Sequence, residues 1–152
     1  MKSLLVHIRH RYIAPVFIIS VLLLTNVTSN HNSANAPHIN FIEGSFTEAL
    51  KQAKLQNKYI FVDAYASWCG PCKMLKDNTF TNDKAAAFYN SNFINVSIDM
   101  EKGEGPGLAA QWQIQAYPTL IIFNPKGKPV LGSVGYINAT DLIKLGKQAL
   151  TK

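Results

Sequence analysis

Tyr59-Ile60-Phe61-Val62-Asp63-Ala64-Tyr65-Ala66-Ser67-Trp68-Cys69-Gly70-Pro71-Cys72 is the stretch on which the fold turns. Its first seven residues are apolar, aromatic or β-branched except for one aspartate, the pattern of a strand buried on both faces. Pro71 and the run Lys73-Met74-Leu75-Lys76 start a helix, because proline is tolerated in a first turn, where its missing N–H would be unpaired anyway. Two thiols therefore stand where a strand becomes a helix. Cys69 lies at the helix N-terminus, where free N–H groups and the helix dipole favour a thiolate; such sites lower a thiol pKa from about 8.5 to about 3.5–7.5. Cys72, one turn on, can attack a mixed disulfide formed on Cys69 and is expected to be the more buried of the two. Asp63 is costly inside an apolar strand, and desolvation raises a carboxyl pKa. It is the candidate to take and return the proton of Cys72; the plainer alternative is an aspartate facing solvent at a sheet edge.

Other uses of the two cysteines are weaker. A disulfide across two residues closes too short a loop to constrain the unfolded chain much. Structural zinc takes four ligands, whereas His7, His10, His31 and His38 lie towards the N-terminus, away from the only two cysteines. A soft ion such as copper(I) could use the pair alone, which leaves a copper(I)-binding or client-docking assembly protein as the rival reading.

Working outward, Ile39-Asn40-Phe41-Ile42 reads as a first strand. Ser45-Phe46-Thr47-Glu48 is a capping box, with Phe46, Ala49, Leu50 and Ala53 on one face of a helix to about Gln56. After the Cys69–Cys72 helix, Asp77-Asn78-Thr79 predicts a break and Asn82–Tyr89 a further helical piece. Phe93–Ile98 is a strand ending at Asp99, the glycines and proline at 103–107 mark a loop, and Leu108–Trp112 a short helix. Thr119–Phe123 and Pro129–Val134 are strands joined by the turn Asn124–Gly127. A last helix starts near Asn138 or Thr140, with Leu142, Ile143, Ala149 and Leu150 on one face. The order βαβαβαββα is that of a single α/β domain with a mixed sheet flanked by helices, parallel where helices separate strands and antiparallel at the one tight turn.

The 152 residues exceed what that domain needs. Lys2, Arg9 and Arg11 precede an apolar run from Ile13 to Leu24, and small residues follow, as in a secretory signal peptide. The run falls short of the roughly 20 residues of a membrane span. Residues 1–29 are read as a signal peptide or an uncleaved N-terminal anchor, with Val27-Thr28-Ser29 a candidate cut. Ala34-Asn35-Ala36 is followed by Pro37, which opposes cleavage. No cysteine lies just behind the run to carry a lipid. Residues 30–38 read as a flexible leader and 39–152 as the folded domain, placed outside the cytoplasm, in the periplasm or secreted. The formal charge of +6 owes three of its positive charges to the head; beyond it 12 basic residues, none an arginine, face 9 acidic ones. Scattered lysines without arginine do not make a nucleic-acid surface.

With these residues in place, the chain resembles the thioredoxin family from about Ile39 to Leu150. Trp68-Cys69-Gly70-Pro71-Cys72 is that family's redox motif, Asp63 matches its buried aspartate, and Tyr117-Pro118-Thr119 matches its cis-proline segment. Gly127 and Gly135 fall where the family has glycines. The resemblance implies a thioredoxin fold and a thiol–disulfide oxidoreductase with no cofactor beyond the Cys69–Cys72 disulfide. It also implies that Trp68, Gly70, Pro71, Tyr117, Pro118 and Thr119 meet an extended substrate segment. The implied partners are protein disulfide substrates and a membrane dithiol that supplies electrons, with the protein a monomer touching the membrane only through residues 1–29. The Gly-Pro pair resembles that of reducing members. Three departures stand out. Asn95 occupies the place of a lysine near the aspartate, which should leave Asp63 easier to protonate. Asp77–Asp83 lacks the helix-kinking proline and resembles secreted relatives, including the C-terminal domain of the disulfide system's membrane electron transporter. Met100–Gly107 is longer than usual, either an inert loop or a lip beside the site.

Overall fold

The computed structural model describes residues 38–152; the segment read as signal peptide or anchor, and the leader as far as residue 37, lie outside the described residues. The elements are β1 (Ile42–Glu43), α1 (Phe46–Gln56), β2 (Tyr59–Tyr65), α2 (Gly70–Met74) continuing into a π-helical turn (Leu75–Thr79), α3 (Asp83–Asn92), β3 (Phe93–Asp99), α4 (Gly105–Trp112), β4 (Thr119–Phe123), β5 (Pro129–Val134) and α5 (Ala139–Ala149). Among the described residues no helix is long and apolar enough to cross a membrane.

The strands form one sheet in the order β1-β3-β2-β4-β5. β2 runs parallel to β3 and antiparallel to β4, and β4 antiparallel to β5, so there are two antiparallel pairs where the sequence predicts one. The chain leaves β3 at Asp99, opposite Tyr65, and re-enters the sheet at Thr119, opposite Ala64. It returns at the end it left, so β4 has to run against β2. Alternation along β2 splits the core. Ile60, Val62 and Ala64 pack with Ala49, Ala53 and Trp112 of α1 and α4. Phe61 packs with Leu75, Phe80, Tyr89 and Leu142 on the other side. Asp63, two residues after Phe61, shares that second face.

Four local expectations change. Ile39 donates its N–H to Phe80 O and Asn40 donates to Asn90 Oδ1, which ties these residues to the helical layer and leaves only Ile42–Glu43 to pair with β3. The break at Asp77–Thr79 is a π turn, which keeps Leu75 and Thr79 both buried while Thr79 Oγ1 donates to Ile137 O. Gly105, Pro106 and Gly107 belong to α4 rather than to a loop, because α4 starts against the end of β3 and a Cβ on Gly105 would overlap Asp99 O. Leu150 is exposed, since α5 ends at Ala149.

The α1 N-terminus is half as read. Ser45 Oγ accepts from Glu48 N–H at 3.2 Å, but the Glu48 carboxylate turns to Gln52. A distant carboxylate completes the cap: Glu104 accepts from Ser45 Oγ at 2.9 Å, Phe46 N–H at 2.9 Å and Thr47 N–H at 3.2 Å. Burial pushes the Glu104 pKa up, but these hydrogen bonds outweigh it and hold it below the ordinary glutamate value. A lowered carboxyl pKa contributes stability that is present above the ordinary value and lost as pH falls through the lowered one. Glu104→Gln should therefore cost about 1 kcal/mol at neutral pH, the usual worth of an N-cap. Urea denaturation should show that difference shrinking in acid.

Candidate active site

β2 delivers the chain to Trp68, and Cys69 serves as N-cap of α2 with extended backbone (φ −75°, ψ 109°). Its Sγ accepts the Cys72 N–H at 3.1 Å, so the sulfur lies over the first turn, where a negative charge is favoured. Gly70 and Pro71 form the exposed start of that turn. The two cysteines are joined as a disulfide with Cα atoms 5.3 Å apart. Cys72 is not the more buried: the two are 5% and 7% exposed, because Ala66, Tyr65 and Tyr117 close around both.

Asp63 lies behind the pair, buried rather than at a sheet edge. Its Oδ2 accepts from Ser97 Oγ at 3.0 Å, while Oδ1 is buried and has no hydrogen-bond partner among the described residues. A cleft of about 420 Å³ is lined by Asp63, Ser97, Cys69 and Cys72, with Phe41 and Phe80 among its apolar walls. Burial pushes the Asp63 pKa up to about 7; the Ser97 hydroxyl and Lys76 oppose the rise, and Glu43 adds to it. The group can thus hold or release a proton near neutrality, within a cleft it shares with both sulfurs.

The outer rim is aromatic. Trp68 is 70% exposed, and its ring meets Tyr117 edge-on at 6.0 Å. The Tyr117–Pro118 peptide is cis and Pro118 is buried. Among the described residues neither the N–H nor the C=O of Tyr117 makes a backbone hydrogen bond, whereas Pro118 O accepts from Gly135 N at 2.8 Å. That approach is made with Gly135 at φ +89°, a region that favours glycine. Thr119 serves the turn: its hydroxyl donates to Ala116 O at 2.7 Å, and it lines a separate groove with Trp112 and Val134.

Three contacts escape a reading along the chain. Ser97, not Asn95, stands opposite Asp63; Asn95 is bonded to Asn40 O and Asn90 Oδ1 instead. Only the strand register reveals this. Glu101, in the long segment after β3, accepts the indole N–H of Trp68 at 2.9 Å, so that segment borders the site. Asp99 holds it in shape, accepting from Glu101 N–H at 3.0 Å and pairing with Lys102 at 2.9 Å. Lys76 and Glu43 line the cleft from opposite elements. Among the described residues no group of three or more His, Cys, Asp or Glu side chains could hold a metal ion.

Residues 46–150 match the family model for a thioredoxin-like domain. A thioredoxin of Staphylococcus aureus is 34% identical over 90 residues, covering 59% of this chain and 81% of that protein. A solution structure from Bacteroides thetaiotaomicron, described provisionally as a disulphide-isomerase, is 42% identical with a TM-score of 0.66, covering 74% of this chain and 93% of the other. A thioredoxin of Thermus thermophilus gives a TM-score of 0.67 at 19% identity, over 75% of this chain and 90% of that one, a likeness of fold alone.

The raised Asp63 pKa has a consequence for stability. In the unfolded chain the carboxyl ionises near its ordinary value of 3.8, but in the folded one only near about 7. Stability linked to this group is fully present below the ordinary value and falls as pH rises through about 7. Asp63→Asn should therefore be more stable than the parent at pH 8, on the order of 4 kcal/mol, and nearly equal to it at pH 4. Chemical denaturation of the oxidised proteins at the two pH values measures this.

Proposed function

The chain belongs to the thioredoxin-like family, and from that premise we propose that it reduces protein disulfides outside the cytoplasm, through a mixed disulfide on Cys69. Thiol–disulfide oxidoreductase activity is what its relatives share with it. The observation that carries the reading is one cleft holding the Cys69–Cys72 disulfide at a helix N-terminus and a buried carboxyl that titrates near neutrality.

In the reduced protein, the Cys69 thiolate attacks one sulfur of a substrate disulfide. A Cys69–substrate bond forms, the substrate S–S bond breaks, and the departing thiolate takes a proton. Cys72 then passes its proton to Asp63 and attacks Cys69 Sγ. The Cys69–Cys72 bond re-forms and the second substrate sulfur leaves as a thiolate, which is protonated in turn. Two electrons have moved from the dithiol to the substrate. A dithiol donor, for which a membrane carrier suits a domain outside the cytoplasm, restores the pair by the same exchange in reverse.

Trp68, Tyr117 and Pro118 offer the docking surface. The free N–H and C=O of Tyr117 can pair with an extended segment in the manner of an added strand. Gly70 supports close approach, since a Cβ there would meet open space and its absence leaves the motif's outer face flat. The N-terminal basic and apolar run supports export, with the segment either removed or kept as an anchor. The domain is proposed to act as a monomer, without a metal or other cofactor.

Cys69→Ser should abolish dithiol-dependent disulfide reduction; retained activity would sink the enzyme reading. Cys72→Ala should instead accumulate mixed disulfides on Cys69, seen as mass additions that dithiothreitol removes. With Cys72 intact, Asp63→Asn should slow release of the Cys69 mixed disulfide at pH 7 on the order of 10²-fold. The direction of electron flow rests on the reduction potential of the pair. Equilibration with glutathione should give a value below that of the surrounding compartment, and a value above it would make the protein an oxidant.

A further inference from the structure

Asp63 is bracketed by two charges of opposite sign. Glu43 of β1 pairs with Ser97 of β3, and Ser97 pairs with Asp63 of β2. The three side chains form one row across adjacent strands. At about 4.8 Å per strand the two acidic residues are roughly 10 Å apart, with the Ser97 hydroxyl between them bonded to Asp63. From the helical side of the cleft, Lys76 of the π turn, four residues after Cys72, lines it together with that cysteine. Both charged residues line the cleft into which Asp63 and Cys72 are set. The other titratable or charged groups lining it are Tyr65 of β2, Lys73 of α2 and Asp77 of the π turn.

Glu43 and Lys76 are exposed, and neither is held in an ion pair among the described residues. The same cleft is lined by Phe41 and Phe80. Charges acting across apolar, partly closed space are screened less than across open water. Among the described residues Asp63 Oδ1 has no hydrogen-bond partner to offset such a field.

We propose that Glu43 and Lys76 act as an opposed pair of charges that sets the pH at which Asp63 exchanges its proton with Cys72. They are positioning residues: neither touches a reacting sulfur. The proposal rests on the reading of Asp63 as the proton carrier. Lys76 favours the carboxylate, and with it proton release to water through the cleft. Glu43 favours the neutral acid, the form that returns a proton to a departing thiolate. Holding both keeps Asp63 able to serve in either protonation state.

The test is the ¹³C carboxyl shift of Asp63 followed against pH in the oxidised protein, where no turnover is needed. Lys76→Met should raise the Asp63 midpoint by roughly half a pH unit and Glu43→Gln should lower it by a similar amount. The double variant should return close to the parent value, and Lys76→Arg should leave it unchanged. Midpoints that stay in place, or that move in the same direction in both single variants, overturn the proposal. The pH profile of mixed-disulfide release, measured on the same variants in a Cys72-containing background, should move with the midpoints. If the midpoints move as stated while that profile does not, the proton-carrier reading of Asp63 fails and the electrostatic pairing stands.

Discussion

Strand β2 is paired along both edges, with β3 on one side and β4 on the other, and both its faces are covered by helices. A carboxyl in the middle of such a strand meets water only where the covering layer is incomplete, and here that gap is the cleft beside Cys72. The cost of burying Asp63 and the chemistry it can perform are therefore one fact seen twice. Isolation raises its pKa towards neutrality, and one hydroxyl, Ser97, with the Lys76 charge limits the rise. More hydrogen bonds would hold the group ionised and unable to carry a proton; an apolar replacement would remove the proton carrier altogether.

The segment after β3 shows how the site is tied into the rest of the fold. Glu101 holds the indole of Trp68, and Glu104, three residues on, closes the first turn of α1. One short stretch thus links the aromatic rim to the helix on the far side of the sheet. Its conformation depends on Asp99 at one end and on Gly105 at the other, where only a residue without a side chain can lie against Asp99 O. The extra length that marks this stretch in the sequence is spent on contacts rather than on an idle loop.

Much of this was legible beforehand, and the residues that were not have a common character. The strand at Tyr59–Tyr65, the helix starting at the cysteines and the cap at Ser45 follow from periodicities and side-chain types within a few residues of one another. The pairing of β4 against β2, the choice of Ser97 over Asn95 beside Asp63, and the use of Glu104 in place of Glu48 at the α1 cap all join residues more than 30 positions apart. The glycines at 105 and 107 misled for a related reason. Glycine reads locally as a loop signal, whereas at Gly105 it answers a close approach between two elements.

By itself the sequence determined the redox pair, its place at the junction of strand and helix, and the presence of an acid in the strand leading to it. These are properties of neighbouring residues, carried by covalent spacing and by the periods of helix and strand. The tertiary structure alone decided what that acid feels: Ser97 and Glu43 in its row of the sheet, Lys76 in the lining of the same cleft, and one oxygen left without a partner among the described residues. A pKa depends on distances through space, and those are set only when strands choose their register and helices close over them.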